Sequence, residues 1–259
     1  MKTYISIILK IMDGFRKRNL LAPEVSITLN NRRIRPIYKP GGYFIFTDLL
    51  PGQACFEIAS PVFRPEKVVA DIPEAGKGYI LNHIMMYPSR KYPFGGPVTT
   101  VSGRITKGGE PFAEQQFYMI PGDGGEVMRI AEDEAEAGNC FLKLFAAVPE
   151  RQLSIPGNYL IKDKEEEKRE FCLITQNADK DGRYPLETGM AYSHRRATPL
   201  VEVIGCAASS DGSFYTALPG LKERLASLEI LVLGGEENSF RRTYEIKAYQ
   251  ENDLGTIEI

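Results

Sequence analysis

Several features common in proteins of this size are missing from this chain of 259 residues. It has no tryptophan and no run of about 18 apolar residues, so a membrane-spanning helix is not expected. The 32 basic and 34 acidic residues leave a net charge of −2. A charge so close to zero provides no general attraction to nucleic acid or to an anionic membrane. We therefore expect neither of these as a partner.

Motifs of the common catalytic sites are also missing. The sequence contains no Walker loop, no G-x-G-x-x-G, no G-x-S-x-G and no redox C-x-x-C. Ser193 and His194 are adjacent, but adjacent side chains of an extended chain point to opposite sides. His83 lies in an apolar run, which is typical of a packed or surface histidine. We expect a non-enzymatic protein with no catalytic, cofactor-binding or metal-binding residues.

The cysteines do not form a recognisable metal site. No two of them have the close spacing of a zinc ligand pair, and both histidines are distant from them in sequence. Each has apolar neighbours, which predicts buried, reduced thiols that pack as small hydrophobic side chains. The residues concerned are Cys55, Cys140, Cys172 and Cys206.

The N-terminal segment does not have the pattern of a secretory signal. Its apolar run, residues 5–12, is interrupted by Ser6 and Lys10, and no small-residue cleavage site follows. We expect a protein that is cytoplasmic at synthesis. Release of a larger particle by lysis would be one route out of the cell.

Short strand-like segments separated by Gly, Pro, Asn or Asp recur along the chain, which predicts an all-β sandwich or barrel. Residues 25–29 and 244–248 alternate apolar and polar side chains, as strands with one buried face do. Residues 126–137 have the composition of a short helix or an acidic loop, and residues 221–226 could form a helical turn. The densely charged residues 162–170 are expected to be a hairpin end or a mobile loop.

A segment rich in Tyr, Pro and Gly, residues 73–98, predicts a division into two modules. Proline restricts φ and extends the chain, so we expect a linker of defined geometry. Tyr87, Tyr92 and Phe94 could pack against one or both modules. The predicted modules are residues 1–72 and residues 99–259.

One sequence motif occurs three times. It reads GGYFIFTDLLPG at residues 41–52, DKDGRYPL at residues 179–186 and SDGSFYTALPG at residues 210–220. Glycine adopts the positive φ of a tight turn, and Asp or Ser before it can bond the turn's backbone. An aromatic residue two positions after the glycine is then expected to point into the core.

The first and third copies resemble the hallmark of carboxypeptidase regulatory-like domains. The opening of the second module, TVSGRIT at residues 100–106 with GEPFA at residues 109–113, is similar to the first strand and hairpin of that family. The resemblance implies two tandem transthyretin-like, immunoglobulin-like β-sandwiches. The second would be enlarged by insertions around residues 122–139 and 155–193. A third, degenerate module built on the DKDGRYPL turn is an alternative.

Two charged segments raise other possibilities. Residues 177–182, NADKDG, match the first half of a calcium loop, but its twelfth position is Thr188 and not the bidentate Glu that such a loop requires. A structural turn is therefore the favoured interpretation. The arginines of residues 16–18 and 32–35 could form a positive patch, although a solvated hairpin end is favoured because no aromatic residues are interleaved for base stacking.

A family of this kind specifies a fold and not a chemistry. We expect a structural or interaction protein, a scaffold or adaptor that binds protein partners through unpaired sheet edges in a homo- or hetero-assembly. A phage-tail-like or contractile-injection particle is one such assembly. The alternative is a carbohydrate- or surface-binding module that uses some of the 13 tyrosines. An accessory domain of a peptidase would need a catalytic chain elsewhere.

Overall fold

The protein is built almost entirely of β-strands. The structure, a computed structural model, describes residues 3–113, 115–122, 126–146, 152–218, 224–232 and 240–259. Its helices within these residues are single 3-10 turns at Ala22–Glu24 and Glu166–Lys168. None of the described segments forms a helix with the length and apolar character needed to span a membrane. The predicted all-β class is confirmed.

The chain divides into two compact units, Met1–Gly95 and Gly96–Ile259, which we call unit 1 and unit 2. The strands of unit 1 are β1 (Ile5–Asp13), β2 (Arg18–Asn19), β3 (Ser26–Leu29), β4 (Arg32–Arg33), β5 (Ile37–Lys39), β6 (Tyr43–Thr47), β7 (Gly52–Ala59), β8 (Glu66–Ile72) and β9 (Ile80–Met86).

Unit 1 contains two sheets around one core. In the first sheet β1 is central: β6 pairs with it antiparallel, β9 pairs with it parallel, and β5 extends the sheet beyond β6. The second sheet has the order β4-β3-β7-β8. Apolar side chains from both sheets belong to a single buried cluster, which includes Ile7, Leu9 and Phe44 from the first and Ile27 and Phe56 from the second.

The predicted linker over residues 73–98 needs correction. Ile80–Met86 within it is strand β9, aligned with β1 from Ile7↔Ile80 to Asp13↔Met86. The sequence pattern concealed this strand because its residues show no polar alternation, and the surrounding prolines and glycines suggested a connection. β9 forms where it does because the central strand β1 needs a partner on its second edge.

Two aromatic residues of this segment also pack into unit 1. Tyr92 is buried and donates a hydrogen bond of 2.5 Å to the Asp13 carboxylate, which is itself fully buried. Asp13 also accepts hydrogen bonds from the backbone N–H groups of Phe15 and Arg16. Phe15 contacts the rings of both Tyr92 and Phe94 edge-on. Burial and the bond to Asp13 raise the pKa of the Tyr92 phenol.

Unit 2 contains fifteen strands in the described residues. They are β10 (Thr99–Lys107), β11 (Glu110–Pro111), β12 (Gln116–Pro121), β13 (Glu126–Ile130), β14 (Glu134–Ala135), β15 (Phe141–Ala146), β16 (Gly157–Ile161), β17 (Glu170–Ile174), β18 (Arg183–Pro185), β19 (His194–Arg195), β20 (Pro199–Ala207), β21 (Ser213–Leu218), β22 (Leu225–Val232), β23 (Phe240–Lys247) and β24 (Glu251–Glu258).

The strands at the two ends of unit 2 repeat the plan of unit 1. β10 pairs antiparallel with β21 and parallel with the last strand, β24, as β1 pairs with β6 and β9. The succession β12-β22-β23 is antiparallel throughout, as is β3-β7-β8. Phe117 of β12 contacts Phe214 of β21 edge-on at 5.1 Å between ring centroids.

The correspondence extends to single hydrogen bonds. The N–H of Ile11 in β1 donates to the carbonyl of Gly42 at 2.9 Å, and the N–H of Ile105 in β10 donates to the carbonyl of Gly212 at 2.9 Å. The carbonyl of Ile11 accepts from Leu20, and that of Ile105 accepts from Phe112. The first and third copies of the repeated motif therefore occupy the same place in their units.

The aromatic residue after each turn behaves as predicted. Phe44 is 2% exposed and Phe214 is 5% exposed, while Tyr184, after the second copy, is partly buried against its own cluster. The second copy differs in another respect. A Cβ added to Gly182 would meet no atom within 4 Å, whereas one added to Gly42 or Gly212 would lie 2.7 or 2.5 Å from the carbonyl oxygen of the first strand.

The difference in size between the units lies between β12 and β21. Residues 122–207 supply β13 to β20, and β20 pairs with β12 on the edge that β4 occupies in unit 1. β13 and β16 then pair with β20. This insertion has its own buried cluster, whose largest member is Tyr159. We refer to it as the insertion.

Three local predictions fall within unit 2. The prediction of a helix or acidic loop for residues 126–137 is wrong, because Glu126–Ile130 and Glu134–Ala135 are strands that pair with neighbours distant in sequence. Residues 162–170 do form the end of a hairpin between β16 and β17. For residues 221–226, positions 221–223 lie outside the described residues and Leu225 begins β22.

Candidate functional site

The two units each end one sheet in a long strand with an open edge. Within the described residues, β8 pairs only with β7 and β23 pairs only with β22. The outer backbone groups of such a strand can pair with a further strand. In the described residues β9 and β24 also pair with one strand each, β1 and β10, so β8 and β23 are two of four long edge strands.

The β8 edge combines exposed charges with a buried carboxyl. Lys67, Val69 and Asp71 point to solvent, and Val69 is 56% exposed. Glu66 lies on the other face with the core residues Ala70 and Ile72. Burial raises the pKa of Glu66 to about 7, and the charge of Arg64 opposes this only partly. Charged residues facing inward at an edge strand discourage indiscriminate pairing.

The β23 edge is more basic. The guanidinium of Arg241 pairs with Glu229 across the strands, with its Nη2 at 3.0 Å from Oε2. Arg242 lies over the ring of Tyr244 at 5.3 Å. Pairing with β22 extends over the whole strand, from Leu225↔Lys247 to Val232↔Phe240. β23 is therefore paired along its whole length on one side, and its other side has no partner strand in the described part of the chain.

His194 is fully buried between two carboxylates. Its Nδ1 lies 2.9 Å from Asp163 Oδ2, and its Nε2 lies 2.8 Å from Glu170 Oε1. Burial alone would lower the pKa of His194, but the bonds to Glu170 and Asp163 outweigh it and raise the pKa. Because both ring nitrogens are held by carboxylates, His194 does not activate a hydroxyl. Ser193 instead accepts a hydrogen bond from the backbone N–H of Ala137.

This ion cluster ties together three parts of the insertion. Asp163 lies in the charged hairpin end and Glu170 begins β17, while His194 begins β19. Glu170 also accepts hydrogen bonds from the N–H groups of Ala191 and Tyr192. Sequence reasoning missed the cluster, because the three residues are separated along the chain and only the packing of the insertion brings them together.

The half-matched calcium loop is a salt-bridged turn. Asp179 Oδ1 accepts from the N–H groups of Asp181 and Arg183, and its Oδ2 accepts from Arg183 Nε at 2.9 Å. Asp181 Oδ2 accepts from the same guanidinium at 3.0 Å. Arg183 thus supplies the positive charge that a cation would bring. No group of potential metal ligands occurs among the residues that the structure describes.

The basic residues singled out from the sequence fall into two sets. Arg16 donates to the carbonyl of Pro93 at 2.7 Å, and Arg18 pairs with Glu24 at 2.5 Å, so both serve the fold of unit 1. Arg32, Arg33 and Arg35 are exposed on the hairpin that contains β4. This second set carries no ion pair within the described residues.

The cysteines are all free thiols. Cys172 and Cys206 are buried as predicted, and Cys55 is partly buried. The prediction is wrong for Cys140, which is exposed because it lies outside β15, whereas Leu142, inside that strand, packs in the core. His83 lies in β9 and is partly buried.

Comparison with known proteins adds little to this description. No protein-family model and no curated protein match the sequence. Among solved structures, the chain is similar to the Bacillus anthracis TIE protein, with 11% identity, 98% of this chain and 50% of that chain covered, and a TM-score of 0.24. The chain therefore spans about half the length of that protein.

A second similarity is to the shaft pilin SpaA of Lactobacillus rhamnosus GG, with 11% identity, 98% and 97% of the two chains covered, and a TM-score of 0.22. A third is to a leucine-rich repeat protein of Bacteroides thetaiotaomicron, with 7% identity, 100% and 26% covered, and a TM-score of 0.21. Scores of this size do not establish a common fold, and we draw no functional conclusion from them.

Proposed function

We propose that this protein is a non-enzymatic scaffold or adaptor that binds partner proteins by adding their strands to its open sheet edges. The observation that carries the proposal is that each unit has long strands paired on one side only within the described residues, among them β8 in unit 1 and β23 in unit 2. Strand addition draws its affinity from main-chain hydrogen bonds and needs no dedicated pocket. Two such edges on one chain would let it hold two partners at once.

The proposal includes the nature of the units. We propose that each is a transthyretin-like sandwich of the carboxypeptidase regulatory-like kind, and that unit 2 carries the insertion as an addition to that plan. The shared strand pairings and the matched bonds at Ile11 and Ile105 support this view. A phage-tail-like or contractile-injection particle remains our proposal for the type of assembly.

A pull-down of the full chain from its source cells tests the function. We expect recovery within a defined complex whose size is measured by light scattering and whose members are identified by mass spectrometry. In the matched variant Val69→Pro, β8 loses one backbone N–H and pairs less readily with an added strand. A chain recovered alone, in both forms, would contradict the scaffold role.

The carbohydrate-binding alternative rests on exposed tyrosines. Tyr79 and Tyr249 are each 58% exposed, and Tyr192 is 42% exposed. They lie in separate parts of the sequence, at the start of β9, after β23 and before β19. Retention on a glycan array, lost on replacing one of these tyrosines by alanine, would favour this alternative over the scaffold.

A further inference from the structure

The two units differ most at one sheet edge. In unit 2, β12 is covered on its second edge by β20, and β20 is covered in turn by β13 and β16. The equivalent edge of unit 1 carries β4, which is two residues long and pairs only with β3 in the described part of the chain. Unit 2 thus shows that this edge of the shared plan accepts further strands, and among the described residues of unit 1 none lies beyond β4.

The backbone of the β4 segment is oriented for such an addition. The N–H of Ile34 donates to the carbonyl of Ile27 in β3 at 3.5 Å, so Ile34 faces the sheet. Because backbone groups alternate in direction along a strand, those of Arg33, which is aligned with Thr28, face away from β3. No hydrogen bond of the Arg33 backbone occurs among the described residues.

The hairpin that carries this edge is well anchored. Asn30 and Asn31 form its turn with positive φ values of 47 and 63 degrees. Asn30 is fixed to β7 by two bonds: its N–H donates to the Cys55 carbonyl at 2.8 Å, and its side-chain oxygen accepts from the Cys55 N–H at 2.9 Å. The edge is therefore held in place before any partner arrives, which reduces the entropic cost of binding.

Three exposed arginines lie close together in sequence at the same edge. Arg32, Arg33 and Arg35 are exposed and have no carboxylate partner among the described residues, and an open depression of about 480 Å³ lies beside the first two. The depression is also lined by Leu29 and Ile34. Five other arginines pair with carboxylates: Arg18, Arg104, Arg183, Arg196 and Arg241. Arg195, Arg224 and Arg242 are exposed without such a partner among the described residues but are far apart in sequence, whereas the three arginines of the β4 edge lie within four positions.

We propose that the β4 edge binds an extended acidic segment of a partner protein as an added strand. The segment would pair its backbone with β4 at Arg33 and place carboxylates on the three guanidinium groups, with an apolar side chain in the depression. The inference rests on the proposed scaffold function and specifies one binding edge and the chemistry of its partner. An unpaired peptide backbone beside the arginines favours a polypeptide over nucleic acid. The hairpin offers no aromatic ring for base stacking, and Tyr38, the next aromatic residue along the chain, lies in β5 and packs on Phe44.

The test uses the full chain and a synthetic peptide of alternating glutamate and valine, with binding measured by NMR of the ¹⁵N-labelled protein. We expect the amide signals of residues 32–35 to shift. The double variant Arg33→Glu with Arg35→Glu should weaken binding by about tenfold or more. The charge reversal Lys180→Glu, at an exposed residue of a turn in the insertion, is the control and should leave the affinity unchanged.

Three further measurements decide the interpretation. A peptide N-methylated at alternate residues keeps its charge but loses its donors, and we expect it to bind much more weakly. Equal binding of the methylated peptide, no binding by the parent peptide, or tighter binding of a single-stranded oligonucleotide would overturn the proposal. In the cell pull-down, a partner retained by the double variant would overturn this inference and leave the scaffold function intact.

Discussion

The two units have the same frame of strands but are completed in different ways. In unit 1 the segment that follows β9 packs against the frame, and its residue Tyr92 bonds to the buried carboxylate of Asp13. Unit 2 instead adds an insertion between β12 and β21, with its own apolar cluster and with His194 held by Asp163 and Glu170. The comparison teaches that the frame tolerates growth at one sheet edge, and that each unit depends on a different buried polar group.

The strongest test of this contrast removes the ion cluster of unit 2. Replacing His194 by alanine leaves Asp163 and Glu170 largely buried, each with 13% of its side chain exposed, and without their counter-charge. Breaking a buried ion pair in this way costs about 3 to 5 kcal/mol. Hydrogen exchange read by mass spectrometry should show lost protection in the insertion and none in unit 1. Arg195→Ala, on the same strand but exposed, is the control.

The cluster also predicts a pH dependence. The pKa of His194 is raised on folding, so its contribution is complete below about 6.5 and is lost as the pH rises through the raised value. The pKa values of Asp163 and Glu170 are lowered, so their contributions are lost in acid. Unit 2 should be most stable between these limits, and His194→Ala should flatten that profile. A profile that the substitution leaves unchanged would contradict the assignment.

The second prediction tests the equivalence of the repeated turns. Gly42 and Gly212 have φ values of +77 and +80 degrees, and a Cβ at either position would meet the carbonyl of the first strand. Alanine should therefore destabilise each unit by about 2 to 4 kcal/mol, from backbone strain together with overpacking. Gly182→Ala introduces the backbone strain without the overpacking. It should lower the free energy of unfolding by about 1 to 2 kcal/mol. Equal losses at Gly182 and Gly212, measured by urea unfolding, would remove the distinction between the turns.

The third prediction concerns the buried phenol of unit 1. Tyr92→Phe removes the 2.5 Å hydrogen bond to the Asp13 carboxylate and leaves the ring contacts in place. Loss of one donor to a buried charged group should lower the free energy of unfolding by about 1 to 3 kcal/mol. The change should affect unit 1 only. Tyr79→Phe, at a residue 58% exposed, should have no measurable effect.

The smallest expected effect is at the edge strand β8. Glu66 has its pKa raised to about 7 by burial, so the folded state binds a proton that the unfolded state has released. The stability of unit 1 should fall as the pH rises from about 4.5 to about 7. Glu66→Gln should remove that fall and stabilise unit 1 above pH 7 by about 1 to 2 kcal/mol. If thermal unfolding at pH 8 shows that Glu66→Gln stabilises unit 1 no more than the exposed control Glu57→Gln does, the carboxyl of Glu66 is not destabilising.

Several features could be predicted from the sequence because they depend on local order. The turns at Gly42 and Gly212 follow from glycine's tolerance of positive φ, and the aromatic residues two positions later, Phe44 and Phe214, are buried by strand alternation. The turn at Asp179 was expected from the glycine at position 182 and the aspartates before it, and the structure has a turn there. Its partner Arg183 lies four residues away, within reach of local reasoning.

The errors occurred where pairing between distant segments overrides local composition. Residues 126–130 have helix-forming composition, but β20 and β15 pair with them on either side. Residues 80–86 have prolines and glycines nearby, but β1 pairs with all seven of them. Hydrogen bonds and burial gained from a neighbouring strand exceed intrinsic propensities, which amount to less than about 1 kcal/mol per residue.

The sequence by itself determined the all-β class, the places of the tight turns and the burial of the aromatic residues that follow them, because each of these depends on residues a few positions apart. Only the tertiary structure decided that β9 pairs with β1, that His194 meets Asp163 and Glu170, and that β4 pairs with no strand but β3 in the described part of the chain. Which strand edges remain free depends on how all the strands of a sheet are ordered. That order is set by the burial of faces and edges across the whole unit, and it cannot be read from any single segment.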